Sequence, residues 1–275
     1  MYQTHWGLEK PPFPSGLDPK LFFEGASQRE SLARLRFLLA HRRRLGLVLG
    51  ASGMGKSLLL SVFAEQCRLA GHAAGQVDLL GLSTREFFWQ LGNKLHAAVR
   101  TEDDLLRLFR QVADRLQENA LQKKQTVLLL DDLDQAGPDL QNQVQRLLRT
   151  DAAHGGWLTL VATANSTQLN RLGQGLLEAV DLRIDLHPWD ELDTIGYLQM
   201  ALFEAGAERP LFDDEAMSNL HRASEGVPRM VNRLADSSLL AGANHSQEMI
   251  DASTIQAASE AISLPTNVAL GSAGG

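Results

Sequence analysis

Eight residues, Gly50-Ala51-Ser52-Gly53-Met54-Gly55-Lys56-Ser57, carry the strongest chemical signal in this 275-residue chain. Three glycines, a lysine and a hydroxyl at this spacing fit a loop whose backbone N–H groups turn inward around phosphate oxygens. The apolar run Leu45–Leu49 before it reads as a buried strand. The apolar-periodic stretch from Lys56 to about Ala70 after it reads as a helix whose positive end faces the same anion. Lys56 can then reach the outer phosphates and Ser57 can ligate a magnesium ion. Gly50 through Ser57, with Leu58 following, is the expected ATP-binding segment.

A second acid-bearing stretch complements it. Thr126–Leu130 is apolar after its first residue and ends on Asp131-Asp132. A parallel strand delivers its terminal acid to the crevice at the sheet's carboxyl end, so Asp131 is expected on the Mg²⁺ side and the strand is expected at the centre of the sheet. Asp132 has two readings. It is either the base that polarises the attacking water of a slow ATPase, or it only shapes the site of a nucleotide-gated switch. Its side chain is one methylene, roughly 1.5 Å, shorter than glutamate's. Asp134 is expected at the surface or at a helix start. The strand at 157–162 runs into Thr163-Ala164-Asn165, which offers Asn165, with Thr163 second, as a polar group near the γ-phosphate. Gly226-Val227-Pro228-Arg229 starts a helix on proline. It places Arg229 in a first turn, where a cation opposes the helix dipole and invites a compensating anion such as a phosphate.

These residues need a scaffold. Strands are expected near 45–49, 75–80, 126–130, 157–162 and 180–186, alternating with helices after 27, 56, 83, 101 and 140. Ser27…Glu30 and Ser83…Glu86 have capping-box spacing, and Thr101 with Asp104 opens another helix. This alternation predicts an α/β fold with a parallel sheet covered on both faces. From Pro188 the pattern changes to three helices, at 190–205, 213–224 and 228–241. The expected organisation is an arm at 1–26, a P-loop domain at 27–188, a helical lid at 189–243 and a C-terminal extension at 244–275 with a disordered tail.

Composition narrows the function. The chain carries 26 Lys and Arg against 33 Asp and Glu, a net charge of −7, which disfavours a broad grip on nucleic acid. His41-Arg42-Arg43-Arg44 is the one dense basic run. One cysteine, Cys67, excludes an intrachain disulfide and reads as a buried thiol. No apolar stretch reaches membrane-spanning length, and the N-terminus lacks a leader pattern. A cytoplasmic protein without direct membrane insertion is expected.

Taken together, these motifs resemble the AAA+ superfamily over about residues 25–242. HWGLEKPPF with Leu21-Phe22-Phe23, QRESLARLRFLL and GVPRMVNRLADSSLLAG are similar to the ExeA/GspA general-secretion ATPases, a group that also resembles TniB/TnsC-type transposition ATPases. The resemblance implies a parallel-sheet P-loop NTPase with a small C-terminal helical lid. It makes Asn165 the sensor-1 residue and Arg229 the sensor-2 arginine. It also implies a trans-acting arginine in a ring or filament of self-associated chains, with Arg171 preferred over Arg183. Met1-Tyr2 and His5-Trp6 would lie near the adenine, on a neighbouring subunit, or in the core. Asp131-Asp132 departs from the familiar Asp-Glu ending. The sequence shows neither a membrane segment nor a wall-binding domain of the secretion type, which favours a regulator. The leading expectation is an ATP-driven or ATP-gated factor for the assembly or regulation of a protein partner complex in a secretion or pilus-like system. The alternatives are a DNA-associated transposition-type ATPase touching DNA through residues 41–44 or Lys123-Lys124, and a nucleotide-binding scaffold.

Overall fold

The structure is a computed structural model and describes residues 2–14, 16–152 and 156–262. The expected disordered tail, from 264 on, lies outside the described residues, as does Met1. The chain divides into two compact units, Gly16–His187 on one hand, and the described residues of Met1–Ser15 and Pro188–Gly275 on the other.

The first unit is a five-stranded parallel sheet between helices. Its strands are β1 (Leu45–Gly50), β2 (Ala73–Asp78), β3 (Thr126–Asp131), β4 (Leu158–Asn165) and β5 (Leu182–Asp185), in the order β2-β3-β4-β1-β5. Every residue of β1 and β3 is buried, as a parallel strand covered on both faces requires. The expectation that Thr126–Leu130 is the central strand is corrected. That place belongs to β4, whose run LTLVATA is buried throughout. β3 and β1 flank β4, so the acid of one and the loop of the other emerge on either side of it.

Helix α2 (Ala26–Ala40) precedes β1, and α3 (Lys56–Leu69) follows it. Then come α4 (Thr84–Lys94), α5 (Leu105–Leu121), α6 (Pro138–Ala152) and the short α7 (Gln174–Leu177). Ser83 and Glu86 form the expected capping box on α4. The one expected at Ser27 is absent: Gly25 caps α2, Ser27 Oγ accepts from His187 N at 2.8 Å, and Glu30 pairs with Arg34. The helix expected from Thr101 begins later, at Leu105, because Asp104 accepts from Arg107 N at 2.8 Å and stops the turn there. Cys67 is buried, and that burial pushes its thiol up to about 12.

The second unit contains α8 (Glu191–Glu204), α9 (Asp214–Ser224), α10 (Pro228–Asn244) and α11 (Ala252–Ile262), joined by the N-terminal helix α1 (Tyr2–Trp6). The segment expected as one arm, 1–26, is therefore shared between the units. Trp6 is buried and its Nε1 donates to Leu239 O at 2.8 Å on α10, while Tyr2 OH donates to Asp236 on the same helix. His5 lies 2.8 Å from Gln247 O. Of the three places open to Tyr2, His5 and Trp6, core packing against α10 is taken by Trp6, while Tyr2 is half-buried on the same helix and His5 is exposed. Among the described residues no helix is long and apolar enough to cross a membrane.

Candidate functional site

The ends of β1, β3 and β4 meet at the carboxyl edge of the sheet. Parallel register aligns Gly50 with Asn165 and Asp78 with Asp131, so the loop after β1 starts beside the tip of β4. Gly53 and Gly55 have φ of 85° and 84°, a region L side chains enter only with strain, and both lie in the turn that leads into α3. Gly50 is needed for space. A Cβ there would stand 3.4 Å from Leu186 and from the Met54 side chain.

Lys56 opens α3 and is buried. Its Nζ donates to Gly50 O at 2.9 Å and to Ala51 O at 3.0 Å, which holds the ammonium over the loop. Ser57 and Leu58 follow in the first turn and are half-buried, whereas Ala51 and Ser52 are exposed. A loop with two left-handed glycines, one buried cation and a helix start without a side-chain cap make a cradle suited to polyphosphate oxygens.

Asp131 ends β3 and is 5% exposed. Thr163 Oγ1, from β4, donates to its Oδ1 at 2.5 Å and accepts from Asp132 N at 2.9 Å. A single hydroxyl therefore fixes both acids. Asp132 has φ 53° and ψ 49°, the left-handed region that aspartate tolerates better than most residues. Its carboxyl is raised above the ordinary carboxylate value, first by burial and next by the charge of Asp131. Lys56 opposes the shift, while Asp134 and Asp78 add to it.

Asp134 does lie in a short helical turn, Leu133–Gln135, but it is buried and not at the surface. Its Oδ1 accepts from Asn165 N at 3.1 Å and its Oδ2 from Gln135 Nε2 at 2.7 Å. It therefore anchors the tip of β4. Nothing in the motif LDDLD distinguishes this inward acid from a solvated one, because the turn at Asp132 sets its direction. Asn165 stands beside Gly50, with its Oδ1 accepting from Thr167 N at 3.1 Å and Thr167 Oγ1 at 3.0 Å. That is the local turn chemistry of asparagine at a loop start, and Thr163 is the β4 residue whose side chain meets Asp131 and the Asp132 amide.

The arginines are more dispersed. Arg171 is exposed and its Nη1 donates to Gln135 Oε1 at 3.3 Å. Arg183 is held by Asp185 at 2.7 Å. Arg229 is exposed in the first turn of α10, with Pro228 opening the helix as expected.

These residues fit a nucleotide with a hard divalent cation. Among the described residues, no three His, Cys, Asp or Glu side chains are grouped to hold a metal. Magnesium commonly takes only one or two protein oxygens and fills its shell with phosphate and water, which Ser57 and Asp131 can supply.

Residues 39–169 match the family model described as "AAA domain". The chain is similar to General secretion pathway protein A of Aeromonas hydrophila, 27% identical over 245 residues, which is 88% of this chain and 45% of that protein. It thus spans less than half the length of that relative. Solved structures of similar fold include Drosophila ORC bound to DNA (TM-score 0.72, 19% identity, 96% of this chain and 66% of that one). Cdc6p from Pyrobaculum aerophilum gives 0.71 at 15% identity over 94% of this chain and 71% of that one. The Thermotoga maritima RuvB Holliday junction branch migration motor gives 0.60 at 14% identity over 92% and 73%. The fold is that of an α/β P-loop NTPase with a parallel sheet and an AAA+-type helical subdomain.

Proposed function

We propose that this chain is an ATP-binding AAA+ protein with slow hydrolysis, that its nucleotide state controls association with copies of itself, and that it works on DNA. The observation carrying the nucleotide reading is the convergence of Lys56, Asp131, Thr163 and Asp132 at one edge of the sheet. In this reading the loop from Gly50 to Leu58 binds the phosphates, and Ser57 and Asp131 hold magnesium. Asp132 takes a proton from the attacking water. Its raised carboxyl supports that role, since a base works best with a pKa closer to the working pH. Its short reach keeps turnover slow.

For a residue acting on a neighbouring chain, Arg171 is the better choice. Arg183 is already engaged by Asp185 through both Nε and Nη2, whereas Arg171 makes one long bond to a neutral amide. DNA as the partner is supported by the fold neighbours, two of whose printed descriptions concern DNA complexes and a third a Holliday junction motor. A second reading, assembly of a secretion complex, is favoured by the 27% identical relative.

Steady-state ATP hydrolysis, with and without duplex DNA, tests the function. The expected result is slow turnover that changes when DNA is added and is lost in Asp132→Asn with ATP affinity retained. Turnover indifferent to DNA, in a chain that does not bind duplex, favours the secretion reading.

A further inference from the structure

The basic run at residues 41–44 and the lysine pair Lys123-Lys124 are some eighty positions apart in the chain, yet the fold brings them to one edge of the sheet. Both are turns that feed strands from below, at the amino edge of the sheet, opposite the nucleotide site. Residues 41–44 lead into β1 and residues 122–125 into β3. Gln125 joins them: its buried Nε2 donates to Leu39 O at 3.2 Å and to Thr159 Oγ1 at 2.9 Å. Trp157, just before β4, accepts through its carbonyl from Thr126 N at 2.9 Å, and its ring lies 3.9 Å under the Arg42 guanidinium. On the β5 side, Arg44 and Arg149 line one cleft of about 240 Å³ with Gln145 and Glu178.

Arg42, Arg43, Arg44, Lys123, Lys124 and Arg149 are all exposed, and none is in an ion pair among the described residues. Two acids lie beside these six cations and offset part of their charge. Asp181 is turned onto the backbone, accepting from Arg44 N at 2.7 Å and Leu45 N at 3.3 Å, and Glu178 lies in the cleft. An unbalanced row of cations in a chain of net charge −7 is a local field that an extended polyanion would feel.

We infer that this amino edge of the sheet is a docking surface for the phosphate backbone of duplex DNA. The inference rests on the DNA-associated reading above and supplies its contact surface. Neighbouring strands are about 4.8 Å apart, so the ends of β3, β4 and β1 span about 10 Å. At 3.4 Å per base pair that matches roughly three steps of a duplex strand. The chemistry suits a duplex more than a single strand. The Trp157 ring is covered by Arg42, which removes it as a platform for bases, and the Phe37 ring is already stacked on His41 at 4.0 Å. Contacts of this kind position the protein on DNA without reading sequence.

The test is fluorescence anisotropy of a labelled 30-base-pair duplex against the full chain over a range of salt. It is run for the wild type and for a triple variant, Arg43→Ala, Lys123→Ala, Lys124→Ala. These residues are exposed and lie on the edge opposite Lys56, so ATP affinity should not change and serves as the folding control. The expected result is a loss of at least roughly tenfold in duplex affinity for any sequence. The salt slope should also fall by about two to three units, near 0.9 for each lost phosphate contact. Wild-type binding that survives the triple substitution with its salt slope intact overturns the surface but leaves the DNA reading standing. No duplex binding by a wild type that still binds ATP overturns both, and retention on vesicles of anionic lipid in that case would assign the edge to a membrane surface.

Discussion

Lys56 is the residue on which the phosphate cradle depends most. Hydrogen bonds to charged groups contribute about 1.5–3 kcal/mol each. Lys56→Ala should therefore weaken ATP binding by roughly 10- to 100-fold while leaving the fold in place, measured by calorimetric titration. Thr163 serves two acids through one hydroxyl. Thr163→Val keeps the shape but strands the Asp132 amide and removes the donor to Asp131. A cost of about 1–3 kcal/mol in denaturant unfolding is expected, together with weaker magnesium-dependent nucleotide binding. Asp132 gives a pH signature. Its carboxyl is raised in the folded state, so the folded chain holds more protons than the unfolded chain between the ordinary and the raised value. Stability must fall as pH rises through that window. Asp132→Asn, neutral at every pH, should melt higher than wild type at neutral pH, with the gain disappearing below the ordinary carboxylate range. A wild type whose melting temperature does not respond to this substitution at any pH would contradict the burial argument.

At the level of elements, strands were the most legible feature, because parallel strands buried on both faces are continuous apolar runs. β1 and β3 could be placed from such runs alone. β4 was foreseen near 157–162, but its position at the centre of the sheet was not, because strand order depends on crossovers that hydrophobic period does not encode. Helix starts were readable in part: Ser83 caps α4 and Pro228 opens α10, whereas Ser27 has a tertiary partner at His187 and leaves the cap to Gly25. The phosphate loop and Asp131 could be named from spacing because the chemistry needs those residue types in that order. The inward turn of Asp134 and the pair of hydrogen bonds made by the Thr163 hydroxyl go with the left-handed kink at Asp132, which no spacing rule predicts. Helices α1 and α11 were missed, the first short and aromatic, the second rich in alanine and serine. In the second unit one glycine sits in the short turn between α9 and α10. Gly226 has φ 67°, and a Cβ there would stand 2.0 Å from Trp189 O. Trp189 N also donates to Gly226 O at 2.9 Å, so neither backbone can withdraw freely. Gly226→Ala should destabilise the chain by more than about 2 kcal/mol, seen as a lower urea midpoint.

For the whole molecule, the sheet has two working edges in this reading. Its carboxyl edge binds nucleotide, and its amino edge carries the unbalanced cations. Self-association belongs to this scale too. If Arg171 completes the site of a neighbouring chain, Arg171→Ala should bind ATP normally but lose turnover, and mixing it with Lys56→Ala should restore part of the activity. A mixture as inactive as its components would remove Arg171 from that role. Such an assembly should also gain mass with a non-hydrolysable ATP analogue, read by light scattering.

Calorimetric titration of the purified chain with ATP, in the presence and absence of magnesium, is the most direct test. Saturable binding at one site per chain is predicted, stronger with magnesium and sharply reduced in both Lys56→Ala and Asp131→Ala. Heat no different from dilution for ATP and for ADP at millimolar concentration, from a chain that unfolds cooperatively, would contradict the nucleotide site at the carboxyl edge of the sheet.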